Sequence, residues 1–306
     1  MLFELIINKK MNRYIVVLAS LLMIFAGCGG KQGKNQQENL ITVSILPQKY
    51  FVEQIAGDHF QVHVMIPPGA NPVTYDPAPS RMQKVEESAA YIRVGYLVFE
   101  RAWMDNIKAI NPGMKVFDQS DGVELIRDAS HTHATEKGID PHIWTSPRAV
   151  RKQVQNIGDF LITLDPEHKQ TYEKNTRRFL ARIDSLDHMI SGRLKGLEGS
   201  SFLIFHPALS YFARDYGLEQ ISLEHEGKEP SPSRLKQIID RGRDSNISAV
   251  FIQKQFSTDE AQTLARELNA EVVRIDPLAY DWFENMNSMS QTIVNALQKK
   301  ESTTNQ

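Results

Sequence analysis

Short apolar, β-branched runs alternate with helix-period stretches twice along the chain, and no other feature constrains its fold as tightly. The first set is ITVSIL (41–46), FQVHVMI (60–66), AAYIRVG (89–95) and MKVFD (114–118). The second is SFLIF (201–205), EQISLE (219–224), SAVFIQ (248–253) and EVVRI (271–275). Strands separated by helices pair in parallel through right-handed crossovers, so the pattern predicts an α/β protein of two Rossmann-like lobes, each with a parallel four-stranded sheet.

Between the sets lies DPEHKQTYEKNTRRFLARIDSLDHMISGRLKGLEG, with Asp165 placed to cap a helix, Pro166 at its first position and Gly196 near its end. Tyr172, Phe179, Ile183, Leu186, Ile190, Leu194 and Leu197 fall at steps of three, four and seven, which keeps them on one stripe. About 30 residues at 1.5 Å each make a rod of roughly 45 Å, long enough to join two lobes. No helix of similar length is legible after it, which argues against a coiled coil. The expected organisation is therefore a first lobe over 41–164, a connecting helix over 165–197, a second lobe over 198–300 and a tail over 301–306.

The front of the chain reads as an export signal. Met11 opens MNRYIVVLASLLMIFAGCGGKQ, with a basic start, an apolar run too short for a comfortable membrane span, and small residues before Cys28. Residues 1–28 are thus expected to be a signal peptide with Met11 as the start. Cys28 is the only cysteine, so an intrachain disulfide is excluded, and FAGC resembles the bacterial lipobox in which the cysteine is lipidated. Residues 29–40 are polar and aperiodic, a tether reaching on the order of 20 Å. With 35 basic and 37 acidic residues, the charge gives no ground for a nucleic-acid partner.

Open parallel sheets bind ligands beyond the carboxyl ends of their strands. His206 follows FLIF, Asp276 follows EVVRI, Glu224 ends ISLE, and His142 sits in the DPHIW turn before a helix start at Ser146 and Pro147. Two imidazoles and a carboxylate there fit first-row metal chemistry, zinc first by ligand type. Each also has a plain reading, His206 as the residue leading into a helix before Pro207 and Asp276 as a turn residue before Pro277. His131 and His133 precede His142 in HTHATEKGIDPHIW, either as ligands or as ordinary loop residues. His168 and His188 read as solvated positions of the long helix, and His59 and His63 as structural residues flanking a strand. Dinucleotide, P-loop, zincin and nucleophile-elbow motifs are absent from the sequence.

PPGANPVTYDPAPS, DPHIW, FHPALSYFARDYGLEQISLEHEGKEPSPSRL and VFIQKQFSTDEAQTLARELNAEVVRIDPLAYDWFENM together resemble the zinc/manganese-binding solute-binding lipoproteins of bacterial metal ABC importers. The likeness covers nearly all of the chain after the tether. It implies two lobes joined by a long helix with a metal cleft between them, His142 as a ligand from the first lobe, and His206 and Asp276 as ligands from the second. It further implies that Zn2+ (with Mn2+ the other candidate) is transported cargo, that the partner is a membrane permease, and that the chain is an extracytoplasmic, lipid-anchored monomer and not an enzyme. The histidine of FHPALSY resembles the zinc branch, as does a His-bearing loop before DPHIW, here holding only His131 and His133 as metal-gathering residues. One departure stands out: Val73 occupies the place where the family usually carries its first histidine ligand. Water, a second oxygen of Asp276, His131 or His133 are the candidates for that position. Rival readings are a binder of a metal chelate, an adhesin, and a zinc hydrolase, whose general base would be Glu224 or Glu226.

Overall fold

Both sheets carry the same strand order. The computed structural model describes residues 39–127, 138–224, 230–256 and 259–304. In the first sheet β1 (Leu40–Val43), β2 (Gln61–Val64), β3 (Ala90–Arg93) and β4 (Lys115–Asp118) lie in the order β2-β1-β3-β4; in the second, β5 (Ser201–Ile204), β6 (Glu219–Ser222), β7 (Ala249–Gln253) and β8 (Glu271–Ile275) lie in the order β6-β5-β7-β8. Every pairing is parallel, as the alternating pattern predicts. The order reverses direction beside β1 in one sheet and beside β5 in the other, and such switch points leave crevices at the carboxyl ends.

Helices α1 (Leu46–Ala56), α2 (Pro79–Glu86) and α3 (Val98–Ile110) connect the first four strands. β1 is shorter than its apolar run because the chain turns at Ser44: Pro47 stands in the first turn of α1, and the Gln48 carbonyl accepts from the backbone N–H of Ser44 (2.9 Å) and Ile45 (3.1 Å). Beyond β4 come α4 (Pro147–Leu164) and α5 (Lys169–Leu194); the second lobe carries α6 (Ser210–Asp215), α7 (Pro232–Asp244), α8 (Asp259–Leu268) and α9 (Trp282–Thr304).

The connecting helix departs from expectation at both ends. Pro166–His168 form a 3₁₀ turn, and α5 runs only from Lys169 to Leu194. Asp165 does not cap it, because its carboxylate accepts from the Tyr172 hydroxyl (2.6 Å) and the His168 ring (2.6 Å). Six positions of the stripe, Tyr172, Phe179, Ile183, Leu186, Ile190 and Leu194, are buried on α5 as read, whereas Leu197 is buried beyond its end. A helix of comparable length does follow, contrary to the sequence reading: α9 has 23 residues and packs on α5, with Arg193 donating to the Asn287 carbonyl (3.0 Å) and the Ser290 hydroxyl (2.9 Å). Its mixed composition hid its length, since polar residues interrupt the apolar face that Met286, Met289, Ile293 and Leu297 bury.

One continuous core links the lobes. Tyr50 and Phe51 of α1 meet Phe179 of α5, and Phe51 and Phe179 meet Trp282 of α9 edge-on or tilted at centroid distances from 5.4 to 6.4 Å. A second, smaller cluster, including Leu203, Ile221, Val250 and Leu264, covers the other face of the second sheet.

Candidate metal centre

His142 stands at the head of a short 3₁₀ turn, Ile143–Thr145, between β4 and α4. Asp140, two residues earlier and fully buried, accepts from both the backbone N–H and the Nδ1 of His142 at 2.8 Å. Burial pushes the Asp140 carboxyl up, but the His142 charge and hydrogen bonds and the Ser210 hydroxyl outweigh it and leave it below its ordinary value. A line of buried amides backs the turn: Gln48 donates to Gln119 (3.1 Å), Gln119 to Gln153 (2.8 Å) and Gln153 to the Ile143 carbonyl (2.9 Å). Every link is satisfied, which makes such a network rigid. Ser146 does not cap α4 with its side chain; its hydroxyl bonds Asp215 of the second lobe.

His206 leaves the carboxyl end of β5, at the switch point of the second sheet. Gln253 at the end of neighbouring β7 grips its backbone, donating to the His206 carbonyl (2.6 Å) and accepting from its N–H (3.3 Å). The ring's Nδ1 meets buried Glu224 at 2.7 Å, and Phe256 stacks on the ring at 5.2 Å. Glu224 is therefore the orienter of an imidazole, while Glu226 lies outside the described residues.

The two rings meet across the lobes with Nε2 to Nε2 at 3.2 Å. A carboxylate only accepts, so each ring donates from Nδ1, and a neutral ring then presents its Nε2 lone pair to the other. Two lone pairs so close repel unless a proton or a cation lies between them. Zinc bonded tetrahedrally to two imidazoles at 2.0–2.1 Å separates the nitrogens by about 3.3 Å, so the pair is already spaced for one ion.

The rings open on a cleft of about 210 Å³ whose wall includes Asn71, Val73, Trp144, Phe256, Pro277 and Leu278. Val73 thus lines the same cleft as His142 and His206, its N–H bonded to the Asn71 side chain at 2.9 Å. Asp276 follows β8 and precedes the cleft residues Pro277 and Leu278. Its carboxylate faces Lys254 (3.2 Å) and accepts from the Leu278 N–H (3.1 Å). Among the described residues no three His, Cys, Asp or Glu side chains gather as a ligand set, so the structure brings together His142 and His206 and does not join Asp276 to them. His131 and His133 lie outside the described residues; the flanking Arg127 and Ile139 pair as an antiparallel bridge. None of His59, His63, His168 and His188 lines the cleft. Asp140, which holds the His142 ring, is the residue of this cluster that sequence reading missed, although the D-P-H spacing, which lets an Asp side chain accept from residue i+2, was the available signal.

The profile of the zinc-uptake complex component A family (periplasmic) matches residues 41–296. The chain belongs to that family. It is 25% identical over 287 residues to the high-affinity zinc uptake system protein ZnuA of Bacillus subtilis, covering 88% of this chain and 89% of that one. A putative metal-binding protein of Chlamydia muridarum is 30% identical over 80% of this chain and 87% of its own. Among solved structures, a crystal structure of ZnuA superimposes with a TM-score of 0.79 at 40% identity, covering 85% of this chain and 99% of that chain. As a member of the zinc-uptake family the chain is an extracytoplasmic solute-binding component of an import system and not an enzyme, which sets aside the hydrolase reading and agrees with Glu224's commitment to His206.

Proposed function

We propose that this solute-binding protein captures Zn2+ between its lobes, with His142 and His206 as the imidazole ligands and Asp276 as a third, and passes it to a membrane permease as a monomer. The observation that carries the reading is the Nε2 to Nε2 approach of 3.2 Å between rings whose other nitrogens are held by Asp140 and Glu224. Imidazole donors favour zinc over manganese, which prefers oxygen. Loading requires Asp276 to exchange its contact with Lys254, whose side chain is 62% exposed and free to swing into water. The test is titration calorimetry with Zn2+ and Mn2+ on wild type and His206→Ala. Zinc should bind at one site and ahead of manganese, and the variant should lose at least 100-fold in affinity, about 3 kcal/mol. Equal affinity in the variant rejects the assignment.

The same proposal places the mature start at lipidated Cys28, followed by a polar tether that leads to β1 and by two lobes joined through α5. A Cys28→Ser form should then appear in the soluble fraction and not with membranes. His131 and His133 serve as a metal-gathering loop, so their double replacement by alanine should slow capture and leave equilibrium affinity nearly unchanged; a loss as large as that of His142→Ala makes the loop a ligand source.

A further inference from the structure

Trp144 stands two residues after His142, in the 3₁₀ turn that His142 heads, and both its indole N–H and its backbone carbonyl bond the second lobe. The Nε1–H donates to the Pro277 carbonyl at 2.9 Å, 133 positions away in sequence, and the carbonyl accepts from the Trp282 Nε1–H at 2.6 Å. A buried indole needs an acceptor, and this one, 2% exposed, finds it across the lobe boundary. Its ring also packs beside the His142 imidazole at a centroid distance of 5.2 Å. One side chain thus meets the first-lobe imidazole with its ring and the residue next to Asp276 with its N–H.

The 276–277 segment is tied from its own lobe as well. The Asn285 side chain on α9 donates to the Asp276 carbonyl at 2.9 Å, and Trp282, at the start of that helix, is anchored in the core against Phe51 and Phe179. The Asp276 carboxylate faces Lys254 at 3.2 Å, so loading asks the side chain to turn while the backbone stays where the two tethers hold it. A segment free to wander would have to be ordered each time an ion bound, and that lost entropy would weaken binding.

We infer that Trp144 is a positioning residue: its N–H crosses between the lobes to hold the 276–277 segment against the turn of His142, so that a ligand from each lobe reaches one ion without a loop having to be ordered. Asn285 is its counterpart within the second lobe. The inference rests on the proposed reading of His142 and Asp276 as ligands.

The test is a double-mutant cycle in affinity for Zn2+, read by calorimetry on wild type, Trp144→Phe, Asp276→Ala and the double variant. Phenylalanine keeps an aromatic ring beside His142 and removes the N–H. Trp144→Phe should weaken zinc binding about tenfold, the lower end of what outer partners of metal ligands contribute. Asp276→Ala should weaken it further. In the Asp276→Ala background the Trp144 change should then cost less than about twofold, because the carboxylate that it positions is gone. Asn285→Ala, which loosens the same segment at its other tether, should follow the same pattern and serves in the cycle if the melting curve shows that Trp144→Phe does not fold. Wild-type affinity in Trp144→Phe, or a loss that persists undiminished in the Asp276→Ala background, overturns the inference and leaves the indole a core residue while Asp276 stays a ligand. Wild-type affinity in Asp276→Ala removes instead the ligand assignment on which the inference stands.

Discussion

Glu224 and Asp140 hold the two rings by Nδ1, so under the proposed function they act on the metal through those rings. A carboxylate on Nδ1 selects the tautomer and raises the basicity of Nε2, and losing such a partner costs roughly 10- to 100-fold in metal affinity. Glu224→Gln is accordingly expected to weaken zinc binding by that factor while leaving the melting temperature of the metal-free protein within about 2 °C; an unchanged affinity by calorimetry rejects the role. Lys254 acts in the opposite sense. Its ammonium competes for the Asp276 carboxylate, and since exposed ion pairs contribute at most about 1 kcal/mol, Lys254→Ala should tighten zinc binding by up to about fivefold. Glu100 ties a residue to pH. It is 1% exposed, and burial pushes its carboxyl up to about 7 although the Ser44 hydroxyl and the Val94 and Gly95 N–H groups pull it down. A group whose value rises on folding favours the folded state in its protonated form. Its contribution is full below the ordinary value of 4.5 and is lost as pH rises through about 7, a difference of roughly 3 kcal/mol. Urea midpoints should therefore fall between about pH 5 and pH 8 in wild type and fall less in Glu100→Gln.

At the scale of elements, the amide line from α1 to the His142 turn carries the positioning. Gln153→Leu leaves the Gln119 amide and the Ile143 carbonyl without partners inside the first lobe, and each buried orphan costs about 1–3 kcal/mol. The variant should lose that stability in urea and also bind zinc more weakly, because the turn bearing His142 is then less constrained. Stability loss with unchanged affinity would mean that Asp140 alone holds the ring. Glycine matters once here: Gly95 sits at φ +119°, and a Cβ there would lie 2.7 Å from the Ser120 hydroxyl, so only glycine lets this N–H reach Glu100.

Across the whole molecule, the lobes are clasped rather than hinged by a single strand of chain. Trp144 of the first lobe donates to the Pro277 carbonyl of the second at 2.9 Å, Trp282 donates to the Trp144 carbonyl at 2.6 Å, and the Tyr211 hydroxyl donates to the Asp140 carbonyl at 2.8 Å. The continuous core through α1, α5 and α9 means that neither lobe keeps its core when α5 is disturbed. Leu186→Ala, at a fully buried position, is expected to cost about 2–5 kcal/mol and to lower both lobes' unfolding together in one transition, followed by hydrogen exchange in β3 and β7. Separate transitions for the two sheets would contradict a shared core.

What the sequence determined by itself was everything carried by local period and by composition at strand ends. The eight strands, their parallel pairing, most of the buried stripe of α5 and the placing of His206 and Asp276 just beyond strand ends and of His142 in a turn before a helix all follow from patterns a few residues long. Strand and helix limits were less legible where side chains bond nearby backbone, as Gln48 does at Ser44, or bond other side chains, as Asp165 does with Tyr172. Tertiary structure alone decided the rest. No local pattern shows that residues 64 positions apart bring Nε2 atoms to 3.2 Å, that Glu224 belongs to His206, or that Trp282 closes on the Trp144 carbonyl. Those distances depend on how two independently formed sheets are set against each other by the core of α1, α5 and α9, and a rigid-body relation of that kind leaves no periodic trace in the chain.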